Sequence, residues 1–254
     1  MSPAPARPST LVQAQGVLFD FNGTLSDDEG ILRDVFIQLA ATEFGLTLTA
    51  RQYQEHLAGR SDREILGDII AFAADAGGGA AEGRMPAAAG SLAPAPQSSR
   101  DAGIERLLPL VDAEYRAGVA AGSPIRPATR ELVHSLHAAG LKLGVVTGAS
   151  RLQVLPELER AGLLGLFGVV VTDEDVERGK PHPEGFLRAA AVLGLGDPSQ
   201  VVAFEDSIPG LGAVAAAGMT AICVEGTHPR DVLAQHAEIL VAEISTACLE
   251  LALA

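Results

Sequence analysis

Five short apolar runs, each closing on polar or turn-forming residues, constrain this chain more than any other feature. They are Gly16 to Phe21 (GVLFDF), Leu141 to Thr147 (LKLGVVT), Gly168 to Asp173 (GVVVTD), Val201 to Asp206 (VVAFED) and Thr220 to Glu225 (TAICVE). The runs are valine-rich and continuous rather than alternating, which is the pattern of strands buried on both faces. Helical patterns precede or separate the last four: ATRELVHSLHAAG, ASRLQVLPELERAG, PEGFLRAAAVLG and IPGLGAVAAAG, each with Gly at its C-terminal side, where a left-handed cap is favoured. Strand and helix in alternation predict an α/β fold, a parallel sheet covered by helices on both faces. From Asp231 onward the pattern predicts a further helix, a short strand at Ile239 to Val241 and a last helix.

The rhythm breaks between residues 27 and 124, where amphipathic helices are predicted at 30–44, 61–76 and 101–121, with no convincing strand. An all-helical insertion would divide the core into residues 15–26 and 125–254. Inside the insertion, residues 77–103 are rich in Gly, Ala, Pro and Ser and read as a flexible loop; residues 1–14 read as a mobile tail.

A formal net charge of −14 repels nucleic acid and anionic membrane at long range, so an anionic substrate has to be held by a local cluster or a metal. Aromatic residues make up 4% of the chain, too few for a base-stacking platform. No apolar run is long enough to span a membrane, the N-terminal residues lack the apolar stretch of a signal peptide, and Cys223 and Cys248 stand in no ligand or CxxC spacing. The expectation is a soluble, cytoplasmic protein with a small-molecule substrate.

Ligands of parallel α/β sheets bind beyond the C-terminal ends of the strands, so the polar residues that end these runs should meet at one edge. Asp20 ends the first run, Thr147 the second, and Glu205 with Asp206 the fourth; Lys180, with Pro181, is expected to open the helix after the third. A carboxylate, a hydroxyl, an ammonium and a pair of acids are the parts phosphoryl transfer requires: a nucleophile, charge neutralisation and a hard-oxygen site for magnesium. Lys180 carries extra weight because the chain has two lysines, Lys142 and Lys180, against sixteen arginines. Taken singly, each residue has a plainer reading. Asp20 could be a turn former and Thr147 a strand-end hydroxyl satisfying backbone. His134 and His137 lie three apart without flanking carboxylates and read as a solvated helix face.

The segments DFNGTL, VVTG, GKP and VVAFEDS, in that order, resemble the four motifs of the haloacid dehalogenase-like superfamily, and the resemblance runs from Gly16 to about Val224. It implies a Rossmann-like core with an inserted helical cap, in the branch of β-phosphoglucomutase and phosphoglycolate phosphatase. It also implies that Asp20 attacks phosphorus to form an aspartyl-phosphate, and that magnesium is held by Asp20, the main-chain carbonyl of Asn22 and Asp206, with Glu205 as a further or water-mediated ligand. Thr147 and Lys180 would grip the phosphoryl oxygens, with Gly23, Thr24 and Gly148 lining the substrate. GRSDREIL, Gly59 to Leu66, is similar to the cap loop that faces substrate, so Arg60, Ser61 and Arg63 are candidates there, or else surface residues.

One position departs from the pattern. The family's phosphatases and mutases usually carry a second Asp two residues after the nucleophile, where this chain has Asn22. An amide neither gives up nor takes a proton at working pH, so acid–base assistance of roughly 10²–10⁴-fold should be missing unless another group supplies it. A substrate with a good leaving group, a substitute acid, or a fold that now only binds would each account for this. A mutase would need that base and a cationic cap grip, and no lysine precedes Lys142.

Overall fold

The computed structural model describes residues 10–75, 97–237 and 239–251. The chain divides into two compact units, one running to Asp27 and resuming at Ser123, the other formed by Asp28–Gly122. In the first unit lie the strands β1 (Gly16–Phe19), β2 (Lys142–Val146), β3 (Val169–Val171), β4 (Val201–Glu205), β5 (Thr220–Val224) and β6 (Ile239–Val241). The second holds the helices α1 (Glu29–Phe44), α2 (Ala50–His56), α3 (Asp62–Asp75) and α4 (Gln97–Gly118). The first unit continues with α5 (Pro127–Ala138), α6 (Arg151–Arg160), α7 (Glu184–Leu193), α8 (Ile208–Ala216) and the short α9 (Arg230–Leu233).

The six strands form one parallel sheet in the order β3-β2-β1-β4-β5-β6. β1 is therefore interior, with Phe19 in register with Val145 on one side and Phe204 on the other. Alternate residues serve opposite faces. Val17, Phe19, Val202 and Phe204 join Leu132 and Leu136 of α5 and Val154 and Leu158 of α6. Leu18, Val201 and Ala203 join Phe186 and Ala190 of α7 and Val214 of α8. Both faces need apolar side chains, which is why these runs do not alternate. The rings of Phe19 and Phe204 stack with centroids 5.1 Å apart, joining β1 to β4 just below the strand ends. Strand order reverses beside β1, since the chain passes to β2 and β3 on one side and to β4, β5 and β6 on the other. That crevice is where an open sheet of this kind accepts a ligand.

The helical unit has its own core, drawn from Phe36 and Leu39 of α1, Leu66 and Ile69 of α3 and Leu107 and Val111 of α4. α2 was not expected. It opens with a capping box in which Thr49 Oγ1 accepts the Gln52 N–H at 3.2 Å and Gln52 Oε1 accepts the Thr49 N–H at 2.9 Å, and it brings the Tyr53 ring against Phe36. Buried Asp28 accepts a hydrogen bond from the Tyr115 hydroxyl at 2.5 Å. Replacing Tyr115 with Phe takes a donor from a buried carboxylate, so the helical signal should unfold at lower urea, equivalent to about 1–3 kcal/mol. An unchanged midpoint would mean that other donors already satisfy Asp28.

Several boundaries differ from expectation. Of the tail read over 1–14, residues 1–9 lie outside the described residues, and the rest is not tail: Leu11, in a 3-10 turn, is fully buried in the same core as Phe19 and Cys248. Of the loop read over 77–103, residues 77–96 lie outside the described residues, while 97–103 form the first turns of α4. The expected last helix is a 3-10 turn, Thr246–Glu250, with Cys248 buried. Among the described residues no helix is long and apolar enough to cross a membrane.

Candidate active site

The Asp20 N–H donates to the Phe204 carbonyl at 2.9 Å, so the ladder between β1 and β4 runs one residue past β1 and fixes where the Asp20 side chain emerges. The chain then turns tightly, with the Gly23 N–H on the Ser26 carbonyl and the Ser26 N–H on the Phe21 carbonyl, each at 2.8 Å. Gly23 has a φ of 74° and a Cβ there would overlap the Asp206 carboxylate, so both backbone and space require glycine. Thr24 is buried and its hydroxyl donates to Asp206 Oδ1 at 2.8 Å, while Thr227, on the loop after β5, donates to Oδ2. Gly23 and Thr24, expected beside substrate, are thus engaged with Asp206. Asn22 lies half-buried in the same turn, bridged to Ser26.

Asp20, Glu205 and Asp206 are all buried, and each offers a carboxylate oxygen within 4.8 Å of the others. The Lys180 ammonium donates to Asp20 Oδ1 and to Glu205 Oε1. On its far side Glu205 accepts at Oε2 from the Ser207 N–H at 2.8 Å and the Ser207 hydroxyl at 2.9 Å. Lys180 does not open a helix as expected. It sits in the loop before α7, joined to Pro181 by a cis peptide, and that loop is held by Glu184, whose carboxylate accepts the Glu177 N–H at 2.8 Å and the Arg178 N–H at 3.3 Å.

The charge balance explains what the cluster can bind. Burial, the largest influence, pushes the Asp20 carboxyl up to about 7, opposed by the Lys180 ammonium and reinforced by Glu205. Burial alone would lower the Lys180 pKa, but the Asp20 and Glu205 carboxylates more than offset it and hold the ammonium well above its ordinary range. Three buried carboxylates close to one another, two of them on this single ammonium, leave negative charge only partly neutralised in a poorly solvated place. A small divalent cation with a preference for oxygen matches both the donor type and the missing charge, so the residues present fit magnesium.

Thr147 follows β2, its N–H on the Val171 carbonyl at 3.0 Å, and its Oγ1 accepts the Ala149 N–H at 3.1 Å, which leaves the hydroxyl proton to be donated elsewhere. Thr147, Gly148 and Lys180 line one small pocket together with Arg178 and His182. The structure therefore brings Asp20, Lys180, Glu205 and Asp206 into contact range, with Gly23 and Thr24 against Asp206 and with Thr147 and Gly148 beside Lys180. Arg60, Ser61 and Arg63 belong to the helical unit, where Arg60 pairs with Asp68, Arg63 donates to Glu105 at 2.7 Å and the Ser61 hydroxyl donates to Glu64 at 3.1 Å. Ser207, Thr227 and Glu184 were not singled out from the sequence. Ser207 could have been found as the cap before IPGLG, whereas Thr227 is placed by sheet order and has no local signal.

A family model described as haloacid dehalogenase-like hydrolase matches residues 14–218. A stretch of 115 residues, 45% of the chain, is 37% identical to validoxylamine A 7'-phosphate phosphatase of Streptomyces hygroscopicus subsp. limoneus and covers 53% of that protein. Another of 119 residues, 47% of the chain, is 34% identical to the phosphoglycolate phosphatase of Salmonella paratyphi A and covers 47% of it. The chain thus spans about half the length of these curated relatives. A crystal structure of a CbbY mutant from Rhodobacter sphaeroides in complex with xylulose-1,5-bisphosphate superposes with a TM-score of 0.73 at 26% identity, over 94% of this chain and 100% of that one. With the family match reaching across most of the sheet and through the loops that hold Asp20, Thr147, Lys180 and Asp206, the chain belongs to the haloacid dehalogenase-like hydrolases.

Proposed function

We propose that the protein is a magnesium-dependent phosphatase of small phosphorylated metabolites that works through an aspartyl-phosphate on Asp20, with Asn22 in place of the usual acid–base Asp. The observation that carries this reading is the buried set in which Lys180 joins Asp20 to Glu205 with Asp206 alongside. The names of two relatives, a validoxylamine A 7'-phosphate phosphatase and a phosphoglycolate phosphatase, support a small phosphorylated metabolite as substrate. The sugar bisphosphate in the similar CbbY structure points the same way.

Asp20, the main-chain carbonyl of Asn22, Asp206 and Glu205 would hold magnesium, which when bound offsets the repulsion between a carboxylate and a phosphate dianion. Lys180 supplies the same offset from the protein's side, and the Thr147 hydroxyl donates to a phosphoryl oxygen. An Asp20 carboxylate oxygen attacks phosphorus as the bond to the leaving oxygen breaks; water then hydrolyses the acyl phosphate and restores Asp20. Asp206 is kept in place by the Thr24 and Thr227 hydroxyls. In this reading the helical unit is the cap of its branch and selects substrate through Arg60, Ser61 and Arg63. Both cysteines, Cys223 and Cys248, are buried and free, which suits a reducing cytoplasm.

The test is phosphate release from acetyl phosphate and from a hexose phosphate, with magnesium and after chelation. Release that needs magnesium and favours acetyl phosphate is expected. Saturable binding of either compound without release, with magnesium present, would instead mark a protein that acts by binding.

A further inference from the structure

We propose that Gly210 is a positioning residue for Lys180, acting through Glu205: the space left by its missing side chain holds the Glu205 carboxylate where that carboxylate can aim the lysine at the nucleophile. Gly210 lies buried in the first turn of α8, and a Cβ built on it would overlap both carboxylate oxygens and the carboxyl carbon of Glu205. Glu205 has nowhere else to go, being fully buried at the end of β4 between strands β1 and β5.

The contacts form one continuous chain. The Gly210 N–H donates to Ser207 Oγ at 3.1 Å, as the helix cap; the Ser207 hydroxyl donates to Glu205 Oε2 at 2.9 Å, and the Ser207 N–H reaches the same oxygen at 2.8 Å. Glu205 Oε1 then accepts from Lys180, whose ammonium also donates to Asp20 and lies 5.6 Å from the centre of the Phe186 ring. Helix energetics alone argue against glycine here, since Gly inside a helix is less favourable than Ala. Backbone conformation does not call for it either, because Gly210 is absent from the glycines with positive φ. What remains is the volume taken by the carboxylate.

The value of this arrangement rests on the phosphatase reading, in which Lys180 grips the phosphoryl group, but the positioning itself can be read without turnover. Lys142 and Lys180 are the two lysines of the chain, and Lys142 is exposed, with its ammonium on the Gly194 carbonyl at 3.3 Å. In protein with ¹⁵N-labelled lysine, the intact molecule should therefore show a protected ammonium signal from Lys180, apart from a rapidly exchanging Lys142. Gly210→Ala should abolish or shift the Lys180 signal, leave that of Lys142 unchanged, and lower kcat by on the order of 10²-fold with a smaller effect on KM. Glu205→Asp, one methylene shorter, makes room for the new Cβ, so Gly210→Ala should cost at most about threefold further in that background. Ser207→Ala is read on the same signal should Gly210→Ala not fold, and a shift is expected. An unmoved Lys180 signal in whichever of these two variants is read, or an equal loss from Gly210→Ala in both backgrounds, would overturn the proposal. If neither acetyl phosphate nor a hexose phosphate is turned over, the phosphatase reading fails while the lysine signal still decides the positioning.

Discussion

Asp20→Asn should reduce magnesium-dependent phosphate release by on the order of 10⁴-fold or more while leaving the protein folded. The amide preserves shape and one carbonyl oxygen but offers phosphorus no negative charge, and no acyl phosphate can form on it. The same change should stabilise the metal-free protein at neutral pH. Burial holds the Asp20 pKa at about 7, well above the ordinary carboxylate range, so the folded state retains a proton that the unfolded chain has already released. Stability of the unmodified protein therefore falls as pH rises from about 4 to about 7, and the variant should escape that part of the fall. Thermal unfolding of both proteins in chelator at pH 5 and pH 7.5 measures this: the variant's advantage should be larger at pH 7.5. Loss of activity with a gain in stability would mark Asp20 as a group kept for chemistry at the expense of the fold. Activity within tenfold of the unmodified protein would place the nucleophile elsewhere.

How much of this was legible in the sequence depends on the range of the interaction that decides each element. The strands were readable because a strand covered on both faces must be apolar throughout, and Val17 through Phe19 or Val201 through Phe204 satisfy that locally. α2 was missed although its signal is local: Thr49 and Gln52 have the spacing of a capping box, but seven residues carry too little periodicity to stand out. Leu11 was lost differently. A window rich in Pro, Ala and Ser averages to a tail, yet a single leucine with a hole to fill anchors the turn around it. Residues 97–103 were misread for the reverse reason, since polar and small residues there begin a helix whose apolar contacts come later, at Leu107 and Val111.

The site shows the same division. Asp20, Lys180, Glu205 and Asp206 could be expected at one edge because they follow strands of one sheet, and the hydrogen bonds of Lys180 bear out its nearness to Asp20 and Glu205. The groups that hold them in place were out of reach. Thr227 meets Asp206 only because β5 lies beside β4, and the fit of Gly210 to Glu205 depends on side-chain volume across a helix turn. Spacing in sequence reports which strand end a residue occupies, not which hydroxyl or glycine it will face.

Asn22→Asp should raise turnover of a hexose phosphate by roughly 10²–10⁴-fold and change that of acetyl phosphate by less than about threefold. The difference lies in the leaving group. Acetate leaves as a carboxylate whose conjugate acid is about as strong as a glutamate side chain, near pKa 4.3, and needs no proton. A sugar alkoxide is closer to hydroxide, whose conjugate acid has a pKa of about 15.7 in water, and breaking its bond to phosphorus without a proton donor is slow. Asn22 can offer the leaving oxygen a hydrogen bond but not a proton. Its place in the turn is fixed by backbone, through the Gly23 and Ser26 bonds that close it, so a carboxyl can be introduced with little change to the loop. Asp at position 22 would also leave the main-chain carbonyl proposed for magnesium where it is. Selective rescue of the hexose phosphate would show that the nucleophilic machinery is intact and lacks only a proton donor for a poor leaving group. Equal gains on both substrates would mean that hydrolysis of the aspartyl-phosphate, a step common to both, is what the missing carboxyl limits. No gain on either would place the acid elsewhere in the protein, and the half-buried His182, which shares the pocket of Thr147 and Lys180, would then be the first residue to replace.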